Sequence, residues 1–231
     1  MTIQGRQFSV YANETSKIYL DGLLQHRNSP TDYRQDMIAL GDHLGHVLAQ
    51  QISDKSKCLI VTTAEDADFL AKGIFETLCK NHTTTAAVFW NNHYQINSGS
   101  VAPVVHKFLQ PGFDESDTLV IVKSVISGSC VVRTNLLALL EQVRVSTIYI
   151  VAPVVYKKAE STLRDEFPPE ISSKFRFIYL AEDEKRDTSG EVIPGIGGHV
   201  YQLLGLGDQP SRTGYMPTLV STLVDNMSLA N

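Results

Sequence analysis

The chain carries one long segment of apolar positions at helical spacing, followed by short buried runs. Between Thr31 and Ile52, the residues Met37, Leu40, Leu44, Val47, Leu48 and Ile52 recur mostly at steps of three or four, which predicts an amphipathic helix capped by Thr31 or Asp32. Lys57 to Thr62 (KCLIVT) has the length and apolar content of a buried strand. A helix from Asp66 to Cys79 and a strand from Thr85 to Trp90 follow. Further along come the strand Thr118 to Lys123, the helix Thr134 to Val143 and the strand Thr147 to Ala152. The helix Lys157 to Glu166 and the strand Phe175 to Leu180 complete the alternation. Strands separated by helices imply an α/β class with a parallel sheet covered on both faces. Residues Asn91 to Gln110 are polar, broken by Gly and Pro, and too long for an ordinary connection, so a flap or small hairpin is expected there.

Composition narrows the function classes. A length of 231 residues with 43% hydrophobic content suits one domain with its own core. A net charge of -5 leaves no basic stripe for phosphate neutralisation, so nucleic acid is not an expected partner and any anion must be held locally. Cys58, Cys79 and Cys130 are odd in number and lack CxxC spacing, which argues against disulfides and structural zinc. The opening MTIQGRQFSVYANETSK lacks the basic start and apolar run of a secretory signal, and no stretch approaches a membrane span. A cytoplasmic protein without a membrane partner is expected.

Ligands of parallel sheets sit at the carboxyl ends of the strands, here just after Val61, Val122, Ala152 and Leu180. The strand TLVIVK runs into SVISGSC, where Ser127, Gly128, Ser129 and Cys130 open a helix with backbone N–H groups and hydroxyls suited to an anion. Such small residues also cap helices for structural reasons alone. His43 and His46 sit three apart on the first helix without a third ligand, which points to packing or surface roles. The glycines of GIGGHVYQLLGLG follow a proline near the carboxyl end rather than a first strand, so a dinucleotide site is not expected. Lys185, Arg186 and Asp187 read as a solvated loop.

The segment Glu191 to Gly205 (EVIPGIGGHVYQLLG) resembles the carboxyl-terminal signature of uracil phosphoribosyltransferases, a hydrophobic pair followed by PGLGDAGDRLFG. Pro194, Gly195, Gly197 and Gly205 fall in register. Upstream, His26 to Arg34 is similar to that family's LRD…T…FR segment through Arg27, Thr31, Tyr33 and Arg34. Val101 to Pro111 is similar to its flap, and Val122 to Ser129 lies where the family has DPMLATGG. The likeness runs from about Leu23 to Gly205.

The resemblance implies a single domain with the type I phosphoribosyltransferase fold, a flap at about 91–111 and a base-recognition segment at about 181–215. The implied reaction joins a pyrimidine-like base to the ribose of phosphoribosyl pyrophosphate, releasing pyrophosphate, with Mg2+ as cofactor and a homodimer as the assembly. Ser127, Gly128, Ser129 and Cys130 would hold the 5′-phosphate. Ile193, Pro194, Gly195, Ile196 and Gly197 would read the base through main-chain groups. Arg27, Thr62, Thr63, Lys107 and Lys123 would contact pyrophosphate or ribose. No residue is assigned as catalytic.

Three departures from the family pattern open another reading. The acid that holds the ribose hydroxyls is replaced by Val122 or Lys123. In place of the pyrophosphate loop LRAGL stands VTTAEDAD, with Glu65, Asp66 and Asp68 where an anion should sit. Gly198, Tyr201 and Gln202 replace the charged residues of GDAGDR. The alternatives are a catalytically inactive relative that binds a nucleotide or serves as a regulatory or partner-binding subunit, and an enzyme whose substrate lacks pyrophosphate.

Overall fold

The computed structural model describes residues 5–96 and 99–229. Its first elements lack a strong apolar pattern. β1 (Arg6–Phe8) is a three-residue edge strand, and α1 (Glu14–Gln25) is started by a capping box. Asn13 Oδ1 accepts from the Ser16 amide at 2.8 Å, while Ser16 Oγ accepts from the Asn13 amide at 2.9 Å. In α2 (Pro30–Gln51) the cap is Ser29, not Thr31 or Asp32, and Pro30 takes the first turn, where a missing N–H costs nothing.

β2 (Lys57–Thr63) leads into α3 (Ala64–Ala67) and α4 (Leu70–Leu78). The single helix expected from Asp66 to Cys79 is thus two, broken around Phe69, whose φ of -120° and ψ of -90° lie outside helical space. After β3 (Thr83–Asn91), the expected flap is an antiparallel hairpin of β4 (Tyr94–Ile96) and β5 (Gly99–Val101), and β6 (Val104–Leu109) returns along β3. β7 (Thr118–Val122), β8 (Val125–Ile126) and α5 (Cys130–Leu140) follow, the helix beginning four residues before its expected start. Next come β9 (Thr147–Tyr156), α6 (Ala159–Asp165), α7 (Pro169–Ser172) and β10 (Phe175–Asp183). The tail forms β11 (Lys185–Arg186), β12 (Val192–Ile193), α8 (Val200–Leu203), α9 (Pro210–Thr213) and α10 (Thr218–Leu229).

The main sheet runs β1-β10-β9-β7-β2-β3-β6, with β8 also on β9. Its centre is parallel, as the alternating pattern requires, but β1 and β6 at the two edges are antiparallel. Side chains alternate through the sheet. Cys58 and Ile60 of β2 pack with α1, α2 and α4, while Leu59 and Val61 pack with α5 and α6 on the other face. A fold of mostly parallel strands flanked by helices, with a hairpin insertion, is therefore the class the sequence implied. Among the described residues, no helix is long and apolar enough to cross a membrane.

Candidate functional site

Two bends at the carboxyl end of the sheet build the site. The first follows β7. The Lys123 amide still donates to Val151 at 3.0 Å, after which the chain leaves the central ladder and turns through Ser127 and Gly128 into α5. Ser127, Gly128 and Cys130 line a cavity of about 270 Å³ shared with His93, Lys123, Ser124, Glu191, His199 and Tyr201. The first amides of α5 have no intrahelical acceptor, so this end carries free donors and the positive end of the helix dipole. Ser124 Oγ is buried and has no hydrogen-bond partner among the described residues. The Ser129 hydroxyl donates to Glu166 Oε1 at 2.5 Å, and Ser129 does not line the cavity. Cys130 does line it, and burial pushes its thiol pKa up.

The second bend follows β12. The Ile193–Pro194 peptide is cis, and Gly195 and Gly197 have φ of 57° and 96°. A Cβ at Gly195 would lie 2.2 Å from the Val192 carbonyl oxygen, so only glycine fits. The Gly195 amide donates to Asp183 Oδ2 at 2.8 Å, and Arg6 Nη2 donates to the Gly195 oxygen at 2.6 Å while its guanidinium also grips Asp183 at 2.8 and 2.7 Å. Tyr33 donates to the Ile196 oxygen at 2.9 Å. Three of the main-chain groups expected to read a base are thus engaged within the fold. The amide and carbonyl of Gly195 and the carbonyl of Ile196 are used to fix the bend to β1, β10 and α2. Pro194 and Gly197 instead bound a second cavity of about 510 Å³, together with Arg27 and Ile193. The Arg27 stem lies against Gly197, where a Cβ would come within 2.9 Å of its Cγ.

Glu191 and His199 line both cavities, so the two bends face one cleft. A direct contact joins them. Arg186 Nη1 donates to the Ser127 oxygen at 2.8 Å, and Arg186 pairs with Val192 in the β11–β12 hairpin that leads to Pro194. Its guanidinium also lies 4.3 Å from the Tyr156 ring centroid. The reading of Arg186 as part of a solvated loop missed this, since nothing local in AEDEKRD marks a residue that reaches across to Ser127.

The acidic stretch after β2 is directed inward. Lys123 Nζ lies 2.6 Å from Asp66 Oδ2, 2.9 Å from Glu65 Oε1 and 3.1 Å from Thr63 Oγ1. Burial works to lower the lysine's pKa, but Asp66 and Glu65 outweigh it and hold the ammonium charged. Asp68 is separate, accepting from Tyr215 Oη at 2.6 Å and from the Thr218 and Leu219 amides at 2.8 Å each, which caps α10. Thr62 and Thr63 are buried and do not line the cleft cavities, and Lys107 is exposed on the edge strand β6 opposite Phe89. Of the five expected pyrophosphate or ribose contacts, Arg27 and Lys123 reach the cleft wall. Glu65 and Asp66 do not fit a magnesium ion, because a lysine ammonium already occupies the place between them.

Three titratable groups complete the wall. His199 Nδ1 lies 3.0 Å from Glu191 Oε1. His93 is anchored through its backbone by Gln209 at 2.6 and 3.0 Å, and burial, then Lys123, lowers its pKa. Tyr201 is held protonated by burial and the charge of Glu65.

No family model matches the sequence, and no curated protein matches it significantly. A solved structure shares its fold. The AQ2163 protein from Aquifex aeolicus is similar over 83% of this chain and 95% of its own, at 14% identity and a TM-score of 0.69. Weaker likeness is found to adenine phosphoribosyl transferase from Trypanosoma brucei, solved in complex with AMP, pyrophosphate and ribose-5-phosphate (12% identity, 73% of this chain, 71% of that chain, TM-score 0.48). L. donovani hypoxanthine-guanine phosphoribosyl transferase gives 5% identity, 67% and 81% coverage, and a TM-score of 0.43. At such identities the likeness to the Aquifex protein is one of fold.

Proposed function

We propose that this chain is a phosphoribosyltransferase-like protein whose cleft takes a 5′-phosphoribosyl group, with the phosphate on the Ser127–Cys130 turn and a pyrimidine-like base toward Pro194 and Gly197. The observation that carries the reading is the common wall of the two bends, in which Glu191 and His199 border both cavities. In an acidic chain, an anion needs local donors. The free amides at the start of α5, the unpartnered Ser124 hydroxyl and the Arg186 guanidinium supply them.

In transfer, the base nitrogen bonds the anomeric carbon as the bond to pyrophosphate breaks, and the protein's task is to hold both partners in line. One observation favours a second reading, a nucleotide-binding relative that does not transfer. The charge of Lys123 is consumed by Glu65 and Asp66, so it offers a pyrophosphate little attraction. Any magnesium ion would then arrive bound to the pyrophosphate substrate.

Calorimetry with UMP, uridine and ribose 5-phosphate, alongside turnover of radiolabelled uracil with phosphoribosyl pyrophosphate, tests both. UMP should bind at least about tenfold more tightly than uridine, since each charged hydrogen bond to phosphate contributes about 1.5–3 kcal/mol. Product formation supports transfer, and binding without turnover supports the second reading. Equal affinity for UMP and uridine, or no binding of any of these ligands, would overturn the proposal.

A further inference from the structure

A further cavity, of about 680 Å³, lies between α2, α4 and α10 and shares no lining residue with the cleft. Its walls are fixed in advance. A Cβ at Gly41 would lie 2.2 Å from the Leu70 oxygen and one at Gly73 2.6 Å from the Ile38 oxygen, so α2 and α4 meet backbone to backbone. Asp68 holds the start of α10 through the Thr218 and Leu219 amides, and Trp90 Nε1 donates to the Tyr215 oxygen at 2.8 Å just before that helix. Phe69, Phe75, Ile38, Leu219 and Leu223 give the cavity apolar surface, and both phenylalanines are only half-buried.

Four charged residues also line it, and three are answered within the fold. Asp68 accepts from Tyr215 Oη and two amides, and Lys72 Nζ lies 3.9 Å from Glu76 Oε1. Arg34 differs, because it forms no ion pair among the described residues. Its Nε donates to the Leu204 oxygen at 2.8 Å and its Nη2 to the same atom, which uses two of a guanidinium's five N–H groups and leaves three. Arg34 Cζ lies 5.2 Å from the Phe69 ring centroid, so the cation rests on one of the aromatic walls.

We propose that this cavity binds a planar aromatic anion, with its ring against Phe69 and Phe75 and its carboxylate or sulfonate on Arg34. The volume suits a small molecule, and a flat apolar body matches the half-buried rings. The anionic oxygens answer the remaining N–H groups of Arg34, which a neutral ligand would leave unmatched. The proposal does not depend on the phosphoribosyl reading of the cleft, so the two stand or fall separately.

The test uses the full chain and two fluorescent probes, 8-anilinonaphthalene-1-sulfonate and the uncharged N-phenyl-1-naphthylamine. The sulfonate should bind at one molecule per chain. Arg34→Met should weaken it about tenfold and leave the affinity of the uncharged probe unchanged. Thr222→Trp, at an exposed position of α10 that lines the cavity, should abolish binding of both probes by filling the space. Circular dichroism verifies folding, and the exposed Thr222 variant reports on the site even where Arg34→Met fails to fold. Saturating UMP should leave the sulfonate's affinity unchanged. Absence of sulfonate binding, as when a second copy of this chain covers the cavity, would overturn the inference. So would equal loss of both probes in Arg34→Met, or wild-type affinity in Thr222→Trp with displacement by UMP, which would place the probe in the cleft.

Discussion

Arg186 Nη1 donates a 2.8 Å hydrogen bond to the carbonyl oxygen of Ser127, tying the hairpin that leads into Pro194 to the turn that starts α5. The contact spans 59 positions of sequence and holds the halves of the cleft in register. Because Arg186 is exposed, it adds little to global stability, while it borders Ser127 and Gly128 of the proposed phosphate turn.

Arg186→Met should therefore separate binding from folding. UMP affinity measured by calorimetry should drop about tenfold, and the urea midpoint should move by less than the equivalent of about 1 kcal/mol. Unchanged affinity would remove Arg186 from the phosphate site.

Lys123 behaves in the opposite way, since its partners are buried and charged. Lys123→Met leaves Glu65 and Asp66 without their cation and should cost about 3–5 kcal/mol in urea unfolding. Adding Glu65→Gln and Asp66→Asn should recover most of that loss, because the replacement removes the stranded charges along with their partner. A small cost for the single variant would mean that the cluster is solvated in solution.

At the second bend, Gly195→Ala sets a side chain against the Val192 carbonyl at a positive φ. Backbone strain and steric contact together should destabilise the fold by at least about 1–3 kcal/mol. Hydrogen exchange at the Gly195 amide, protected by Asp183 in the native chain, should speed up. Wild-type stability would show that the bend rearranges freely.

Much of this fold is legible in the sequence, and the parts that are not have a common cause. Strands such as Lys57–Thr63 and Thr118–Val122 announce themselves because burial on both faces demands apolar runs. The Ser127 turn and the Pro194 bend are legible as small-residue and Pro/Gly clusters. β1 escapes because Arg6 is buried by partners 177 and 189 positions away, Asp183 and the Gly195 oxygen, and α1 because its start is set by the local Asn13–Ser16 cap. Lys123 illustrates the same limit. Its placement beside Glu65 and Asp66 makes sense of an acidic stretch that reads locally as repulsive to an anion, yet the partners come together only when β7 pairs with β2.

His93 gives the molecule a pH signature. Its pKa is lowered in the folded state by burial and then by Lys123, so the unfolded chain takes up a proton more readily. Its contribution to stability is full above the unfolded value of about 6.5, begins to fall below it and is lost as pH drops through the lower folded value. Urea midpoints should decline from pH 7.5 to 5.5, and His93→Gln should flatten that decline. An identical slope in the variant would contradict this assignment.

The most direct measurement of the central claim is a crystal structure of the protein with UMP. The account predicts phosphate oxygens about 3 Å from the amides of Gly128 to Cys130, with the pyrimidine ring lodged in the cavity bounded by Pro194 and Gly197. A nucleotide seated on another face, or one whose phosphate avoids the start of α5, would contradict it.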